Sequence, residues 1–481
     1  MNISKKLILS SLCAINIFSC TKDKASSEPK PSDQKTEVKA EEKVLTKEEQ
    51  CAERVKNLPA DYISGYLKVP EDPNQVDGRQ ISVFYYGRVK PDPTIKQDIT
   101  VFFNGGPGGS SQGTAGRYAK MQKEDPEKNK VNFLFIDQRG TGCSDPFPQG
   151  TSKDIVERLR HYGSTGIVSD AELIRKKLLG GQKWRVFGHS YGAWIAHRYV
   201  LMAPQSLTKV YANAGVIIEN QTEYMAARIT SSQRVLKEYF KIYPKDEVKL
   251  QTLKKYLDDK PCMEIKGAQY CGHEIDGVLL NYLKFKPFWQ NINEDLNLAV
   301  DDNLNINLEK IKGTVEWYLS EDTSNPYTQF VATALAYLDV NSIYLIPGIG
   351  GDDRDCDHVY AYLREKGYKP ETFMINECQN YSHIYNDGSI GKRVPVDYSV
   401  ILEVPHDRMD MQKFKETLIK NPQIEFFLYS GEVDPVVPVE IIKPEVDYIG
   451  DLKNFNYTSF PDVAHDGYFT QDQIWKDLLK N

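Results

Sequence analysis

Short apolar runs alternate with longer amphipathic stretches along most of the chain. Such runs are typical of strands buried on both faces of a mainly parallel sheet. Between them lie helical patterns such as SDAELIRKKLLGG, residues 169–181, where glycines follow the last apolar position. This order of elements predicts an α/β architecture. Seven runs are predicted to be strands: ISVFYYGRV, DITVFFN, VNFLFID, WRVFG, KVYANAG, EFFLYSG and NYTSF.

Residues 216–422 have a different character. They are rich in Tyr, Lys, Asn and Asp and contain amphipathic patterns such as ITSSQRVLKEYFKIY and FVATALAYL. The segment is too long for a connecting loop, so we predict a mostly helical cap domain mounted on the sheet. Residues 51–215 and 423–481 then form the two parts of the core.

The first twenty residues predict an export signal. Two lysines precede an apolar run that is too short to span a bilayer, and a small residue stands directly before Cys20. The ending IFSC resembles a bacterial lipobox, which implies a lipid on Cys20. Residues 1–20 are therefore predicted to be a signal peptide, with an ordinary signal that happens to contain a cysteine as the alternative. Residues 21–50 are predicted to be a disordered tether, because residues 21–43 are almost devoid of large apolar side chains.

Together these features predict a domain anchored by lipid to a membrane of the bacterial cell envelope, facing the periplasm or the exterior. The net charge of −7, from 60 Lys+Arg and 67 Asp+Glu, is spread along the chain. Without a basic stripe, we expect no nucleic-acid partner.

Export changes the interpretation of the cysteines. An even number in an oxidising compartment favours disulfides, and the sequence does not choose among the pairings. The nearest pair, Cys262 and Cys271, is the predicted local bridge. No C-x-x-C pair occurs after Cys20, so we expect no metal. Six cysteines follow Cys20: Cys51, Cys143, Cys262, Cys271, Cys356 and Cys378.

The stretch RVFGHSYGAW carries the pattern G-x-S-x-G around Ser190. A predicted strand ends just before the pattern and a predicted helix begins just after it. Such an elbow lifts a serine hydroxyl above the sheet, and a side chain at Gly188 or Gly192 would crowd the turn. Because a serine needs a base oriented by an acid, Ser190 is a candidate nucleophile whose acid and histidine should follow in that order.

Two later strand ends supply these partners. Asp434 follows EFFLYSG, and His465 follows NYTSF as the one histidine beyond Asp434. A base at the end of a sheet strand is held on a rigid element, as proton transfer from Ser190 requires. The sequence therefore predicts a catalytic triad of Ser190, Asp434 and His465.

A hydrolytic serine also needs donors for the oxyanion that forms on the substrate carbonyl. The backbone N–H of Tyr191 is one candidate. The loop FFNGGPGGSS supplies the other, and because Pro107 has no N–H the choice lies between Gly105 and Gly106.

Five motifs carry a family resemblance: NGGPGGSS, IDQRGTGCSDP, GHSYG, GEVDPVVP and AHDG. In this order and spacing they resemble the prolyl iminopeptidase and tripeptidyl aminopeptidase group of α/β-hydrolases. The resemblance implies the α/β-hydrolase fold, with a mainly parallel eight-stranded sheet and the cap as an insertion. It also implies no cofactor, and an oxyanion hole formed by Gly106 and Tyr191.

The same resemblance implies that carboxylates of the cap hold a substrate's free amine. Glu219 and Glu223, just past the sixth predicted strand, are candidates by position and charge. The chain departs from the prolyl iminopeptidase pattern at Asn104, where a histidine is usual. The asparagine favours the tripeptidyl group.

Other motifs have structural interpretations. Asp137 and Arg139 are predicted to pin neighbouring loops, and His189 is predicted to pack in the elbow. The aspartate-rich stretch at residues 350–358 lacks the spacing of a calcium loop and is predicted to be a solvated loop before the helix HVYAYLREKGY.

The first functional hypothesis is an exported serine aminopeptidase that releases residues or short peptides from peptide N-termini through an acyl-enzyme. The second keeps the triad but makes the protein an esterase or amidase for small metabolites, because substrate choice lies in the cap. The third is a binding lipoprotein with a decayed site. The expected partners are thus a peptide or small acyl substrate and a membrane.

Overall fold

A computed structural model of the chain describes ten ranges: residues 46–56, 58–259, 262–265, 268–271, 282–307, 331, 334–335, 337–340, 353–373 and 399–480. The predicted signal peptide, Cys20, most of the predicted tether and Cys378 lie outside the described residues.

Eight strands form one sheet in the order β1-β2-β4-β3-β5-β6-β9-β10. Strand β2 is antiparallel to both β1 and β4, and the other pairs are parallel. The mainly parallel eight-stranded sheet is therefore confirmed. The strands of the described chain are β1 (Ile63–Pro70), β2 (Gln80–Gly87), β3 (Ile99–Phe103), β4 (Asn132–Asp137), β5 (Trp184–His189), β6 (Leu207–Asn213), β7 (Cys262–Ile265), β8 (Ala268–Cys271), β9 (Glu425–Gly431) and β10 (Phe455–Phe460).

All seven predicted runs form strands of this sheet. Six of them are largely buried, as expected of apolar segments between two layers, whereas β10 is a half-buried edge strand. Strand β1 was not among them. Its residues alternate between half-buried and exposed over most of its length, as expected for an edge strand, and this pattern is weaker than an unbroken apolar run. The hairpin β7–β8 is separate from the main sheet.

Helices cover both faces of the sheet and continue into the insertion. The predicted helix at residues 169–181 is present and ends at Gly180, which has a left-handed φ of 58°. The α-helices are α1 (Lys47–Val55), α2 (Gln112–Glu124), α3 (Lys153–Leu159), α4 (Ser164–Leu179), α5 (Tyr191–Met202), α6 (Gln221–Ile242), α7 (Lys245–Asp259), α8 (Trp289–Ala299), α9 (Asp353–Glu365), α10 (Ser399–Leu402), α11 (Met411–Lys420), α12 (Val439–Ile449) and α13 (Asp472–Leu479).

Two apolar clusters lie mainly in the predicted cap, and one of them also includes Val433 and Ala464 of the core. One joins α6, α7 and α8 through residues such as Tyr239, Leu250 and Trp289, and another joins α6 to α9 through Ile229 and Leu363. Helix α9 begins at Asp353, so part of the aspartate-rich stretch that we expected to be a loop is helical.

The last helix of the insertion belongs to the core layer and not to the cap. Helix α11 packs on α5, and the Phe414 ring lies 4.9 Å from His197 and 5.1 Å from Phe426. The predicted cap boundary at residue 422 therefore includes a helix that covers the sheet, because its apolar face matches α5 and β9.

The N-terminal helix begins inside the segment predicted to be a tether. Thr46 and Glu49 form a reciprocal capping box at the start of α1. A disulfide joins Cys51 of this helix to Cys143 in the loop after β4. Cys262 and Cys271 are Cα partners in the β7–β8 register, so the bridge predicted between them remains a prediction.

Among the described residues, no helix is long and apolar enough to cross a membrane. The same part of the chain holds no group of three His, Cys, Asp or Glu side chains suited to a metal ion.

Candidate active site

Ser190 stands alone between strand β5 and helix α5, with a positive φ of 57°. A β-carbon on Gly188 would lie 2.0 Å from the Gly192 carbonyl oxygen, and one on Gly192 would lie 2.0 Å from the Phe103 carbonyl oxygen. Both positions therefore require glycine. The strained serine backbone is typical of a nucleophile elbow, and it is held by a 2.8 Å bond from the Ser190 N–H to the Asn213 carbonyl.

His465 follows strand β10 and joins Ser190 to Asp434. Its Nε2 lies 3.0 Å from the Ser190 Oγ, and its Nδ1 lies 2.8 Å from the Asp434 Oδ2. An ionised carboxylate only accepts hydrogen bonds, so Nδ1–H donates to Asp434 and Nε2 is left to accept the serine proton. The structure thus brings the three predicted triad residues into one hydrogen-bonded chain.

Asp434 is fully buried in the loop after strand β9. Its Oδ1 accepts from the backbone N–H groups of Val436, at 2.8 Å, and Val437, at 3.0 Å. The Tyr468 hydroxyl donates to Oδ2 over 3.3 Å. These donors orient the carboxylate, so its second oxygen points at His465.

The glycine loop after strand β3 lies against the serine. A β-carbon on Gly105 would meet the Ser190 β-carbon at 3.1 Å and its Oγ at 3.5 Å. Gly106 has a φ of 134°, and a β-carbon there would lie 2.6 Å from the Gly108 nitrogen. Only glycine fits this backbone, which brings main-chain N–H groups next to the serine.

Two polar side chains hold the ends of this loop. Asn104 donates to the Ser110 carbonyl over 2.9 Å and accepts from the Thr114 hydroxyl over 3.1 Å. Asp137 accepts from the Ser111 N–H at 3.1 Å and the Cys143 N–H at 2.9 Å. Asn104 therefore shapes the loop from within, and Asp137 ties it to the turn after β4, as predicted for that motif.

Arg139 has the structural role that we expected. It is buried and forms a bidentate pair with Asp170, with nitrogen–oxygen distances of 2.6 and 2.8 Å. It also donates to the carbonyl groups of Glu71 and His161. The side chain thereby joins the turn after β4 to α4 and to the end of β1.

Tyr191 is the first residue of α5, and its backbone N–H is one of those without a partner inside the helix. Its hydroxyl donates to the buried carboxylate of Asp339. Asp339 also accepts from the Ser164 N–H at 2.8 Å and the Ser164 hydroxyl at 2.6 Å. The side chain of the candidate oxyanion residue is therefore anchored on a part of the insertion.

A cavity of about 250 Å³ opens at Ser190 and His465. Its wall is largely apolar, and its charged members on the described chain are Arg117, Lys284 and Asp466. The backbone carbonyl of Lys284 accepts the His465 N–H over 3.0 Å, which docks residues 282–288 beside the triad. Apolar side chains on the wall are Pro107, Phe285, Phe288, Val436 and Phe469.

The sequence analysis did not identify Asp466 as a site residue. It directly follows His465 and lines the cavity. Burial raises the pKa of Asp466 above its ordinary value, although the charges of Arg117 and His465 act in the opposite direction. Its position directly after the predicted base was the sequence feature from which Asp466 could have been identified.

His189 packs in the elbow and also faces the cavity. Its ring centroid lies 5.1 Å from that of His465 and 5.8 Å from that of Phe469. Burial, followed by the nearby charges of His465 and Arg117, lowers the pKa of His189 well below its ordinary value. The His189 ring is therefore neutral in the pH range where a histidine acts as a general base.

Glu219 and Glu223, the candidates for amine binding, do not reach this cavity. They line a second cavity of about 670 Å³ between α6, α9 and α12, and both are exposed. Glu219 accepts the Met411 N–H over 3.0 Å. The structure brings the triad and the glycine loop together but leaves these two glutamates elsewhere, so their predicted role has no geometric support.

Comparison with known proteins agrees with this architecture. Residues 100–251 match a family model described as the alpha/beta hydrolase fold. A proline iminopeptidase of Aspergillus aculeatus is 30% identical over 148 residues, which is 28% of this chain and 33% of that protein. A proline iminopeptidase of Saccharolobus solfataricus is 32% identical over 155 residues, 32% of this chain and 44% of that protein. The chain thus covers between a third and a half of the length of these curated relatives.

Solved structures include a proline iminopeptidase of Mycobacterium smegmatis, with a TM-score of 0.35 and 12% identity, covering 86% of this chain and 97% of that one. Another is an acetylester hydrolase of Corynebacterium glutamicum, with a TM-score of 0.38 and 13% identity, covering 87% of this chain and 95% of that one. The sheet order and the match of residues 100–251 to the family model show that the protein has the α/β-hydrolase fold.

Proposed function

We propose that the protein is a serine hydrolase in which Ser190 is the nucleophile, His465 the general base and Asp434 the orienting acid. The observation that carries this proposal is the relay of 3.0 and 2.8 Å from Ser190 through His465 to Asp434. A hydroxyl at this distance from a neutral imidazole loses its proton as it attacks a carbonyl carbon.

The reaction then follows from the groups around Ser190. His465 takes the serine proton, and buried Asp434 stabilises the resulting imidazolium. Backbone N–H groups of Gly106 and Tyr191 donate to the oxygen that becomes negatively charged. His465 returns the proton to the leaving group. Water then attacks the acyl-enzyme while His465 takes its proton, and His465 gives this proton to the Ser190 oxygen as the acyl group leaves.

For the substrate we propose the N-terminal end of peptides. The names of the relatives support this, since both are proline iminopeptidases. A substrate ammonium group needs a nearby carboxylate, and on the described wall of the cavity Asp466 is the acid available. We propose Asp466 for this contact in place of Glu219 and Glu223.

An esterase or amidase for small metabolites is the second candidate. The specific observation that favours it is the apolar wall, where Phe285, Phe288 and Phe469 line the same cavity as Ser190. Such a wall recognises an acyl group by shape and needs no ammonium group. The third hypothesis, a decayed binding protein, has no support in a site whose relay is intact.

Export and lipid anchoring at Cys20 remain part of the proposal. They rest on the lysines, the apolar run and the lipobox-like ending of residues 1–20.

The hydrolase is tested by labelling with a neutral fluorophosphonate. Wild-type protein should be labelled and Ser190→Ala should not, because the probe reacts with an activated serine. Ser169→Ala is the matched control, since Ser169 lies on α4 and bonds to the Thr165 carbonyl. Labelling of Ser190→Ala at the wild-type rate would refute the assignment.

The substrate class is tested with matched tripeptidyl amides that carry a free or an acetylated N-terminus. Acetylation removes the charge that Asp466 would pair with, so an aminopeptidase should lose at least about 10-fold in kcat/KM. Equal rates on both peptides, with simple esters hydrolysed faster than either, would favour the esterase.

A further inference from the structure

One cation on the wall of the Ser190 cavity has no role in the proposed reaction. Arg117 lies on α2, the helix that follows the glycine loop, and it lines the same cavity as Ser190 and His465. Among the described residues, its guanidinium has neither an ion-pair partner nor a hydrogen-bond partner. A cation that lines a binding cavity without a hydrogen bond or ion pair on the described chain can pair with a ligand.

The position of the guanidinium is supported by its effect on other groups of the wall. Its positive charge acts on both His189 and Asp466, which line the cavity with it. Burial raises the pKa of Asp466 above its ordinary value, and the charge of Arg117 opposes this rise.

We infer that the substrate of this site carries a carboxylate, and that Arg117 binds it. The inference rests on the proposed serine hydrolase and narrows its substrates. Guanidinium and carboxylate pair through two parallel N–H···O bonds, which fixes the orientation of the ligand as well as its affinity. The carboxylate is either the C-terminus of a short peptide or an acidic side chain near the scissile bond.

The inference predicts that removing the carboxylate weakens binding, even where the scissile bond is unchanged. A charge-assisted hydrogen bond of this kind corresponds to a change of about 10-fold to 100-fold in affinity. In the Arg117→Gln variant this difference should disappear, and in Arg117→Lys part of it should remain.

The experiment measures protection of Ser190 from a neutral fluorophosphonate in the full chain. The competitors are trialanine as the free acid, trialanine amide, and an amidated tripeptide with a central glutamate. Each protection curve is scaled to the labelling rate of the same variant without competitor. In wild-type protein, free trialanine or the glutamate peptide should protect at a concentration at least 10-fold lower than trialanine amide.

Lys120→Gln is the matched control. Lys120 lies on the same helix, is exposed and lies near Glu124. The Lys120→Gln substitution therefore removes one positive charge outside the cavity. The control should keep the wild-type preference, and Arg117→Gln should lose it. Protection by the glutamate peptide assigns the carboxylate to a side chain, and protection by free trialanine alone assigns it to the C-terminus.

If neither free trialanine nor the glutamate peptide protects better than trialanine amide, the inference is overturned. So would an Arg117→Gln variant that keeps the preference. These results are distinct from failure of the proposed hydrolase, because that failure appears as labelling that does not depend on Ser190.

Discussion

The Tyr191 hydroxyl donates a hydrogen bond to the Asp339 carboxylate, although the two residues are 148 positions apart. Both side chains are buried. Burial, reinforced by the charge of Asp339, raises the pKa of Tyr191 well above its ordinary value, so the phenol stays neutral and donates. The residue after the nucleophile is thus positioned by the inserted segment.

Tyr191→Phe should therefore lower kcat by about 10-fold and leave KM nearly unchanged. The reason is that the backbone N–H stays but loses its anchor, whereas complete loss of an oxyanion donor costs ~10²–10³. Steady-state kinetics on a tripeptidyl amide measures the effect. Tyr199→Phe is the control, because Tyr199 is buried on the same helix and its hydroxyl also bonds a carboxylate, that of Glu172, over 2.6 Å. Equal kcat values in the two variants would contradict a positioning role for Tyr191.

Asp434→Asn should reduce kcat by about 10⁴-fold, because the amide favours the wrong imidazole tautomer at His465. Asp462→Asn is an exposed control in the loop before His465 and should keep wild-type kcat. Combining Asp434→Asn with Ser190→Ala should give no further loss, since triad members act as a unit. An Asp434→Asn enzyme within 10-fold of wild type would remove Asp434 from the triad.

Arg139→Met should destabilise the fold by about 3–5 kcal/mol, because it leaves Asp170 buried without its cation. Urea unfolding measures this difference. Arg79→Met is the control, since Arg79 is mostly exposed and lies 3.7 Å from Glu71, and it should cost less than about 1 kcal/mol. Replacing Asp170 with Leu in the Arg139→Met variant should recover part of the loss. A loss for Arg139→Met no larger than for Arg79→Met would show that the pair is not a structural support.

The lowered pKa of His189 predicts that the folded protein loses stability as the pH falls. Its pKa is lowered in the folded state, so the unfolded chain binds a proton first as the pH falls. The contribution of the neutral His189 ring to the free energy of unfolding is fully present above about pH 6.5, the ordinary histidine pKa. It is lost as the pH falls from there toward the pKa in the folded state, by up to about 1.4 kcal/mol per pH unit.

The free energy of unfolding of His189→Phe, measured from pH 7.5 to pH 5, should therefore fall less steeply than that of wild-type protein. His358→Phe, at an exposed histidine, is the control and should follow the wild-type curve. Parallel curves for wild type and His189→Phe would contradict the burial of a neutral imidazole.

Cys20→Ser should abolish lipidation and release the protein from the membrane fraction. Cys13→Ser, within the apolar run of the same segment, is the control and should still be processed. Mass spectrometry of the mature N-terminus measures both. An unmodified N-terminus at another position in wild-type protein would overturn the lipobox assignment.

Much of the core followed from local patterns. The run WRVFG predicted a strand buried on both faces, and the glycines around Ser190 predicted the elbow, because each constraint acts over a few neighbouring residues. Asp434 and His465 were found by their position after late strands, since parallel strands bring their carboxyl ends to one edge of a sheet. The edge strand β1 was missed because its alternation is weak.

The sequence by itself thus determined seven of the eight strands of the main sheet, the elbow, and the three residues of the Ser190–His465–Asp434 hydrogen-bonded chain. Only the tertiary structure decided which acids reach the cavity: Asp466 does, whereas Glu219 and Glu223 line another one. It also decided that Asp339 anchors Tyr191 and that Cys51 pairs with Cys143. Cys51 and Cys143 are 92 residues apart along the chain, and Tyr191 and Asp339 are 148 residues apart. The physical reason is that such contacts depend on how whole helices and loops pack, and this packing leaves no periodic pattern in the sequence.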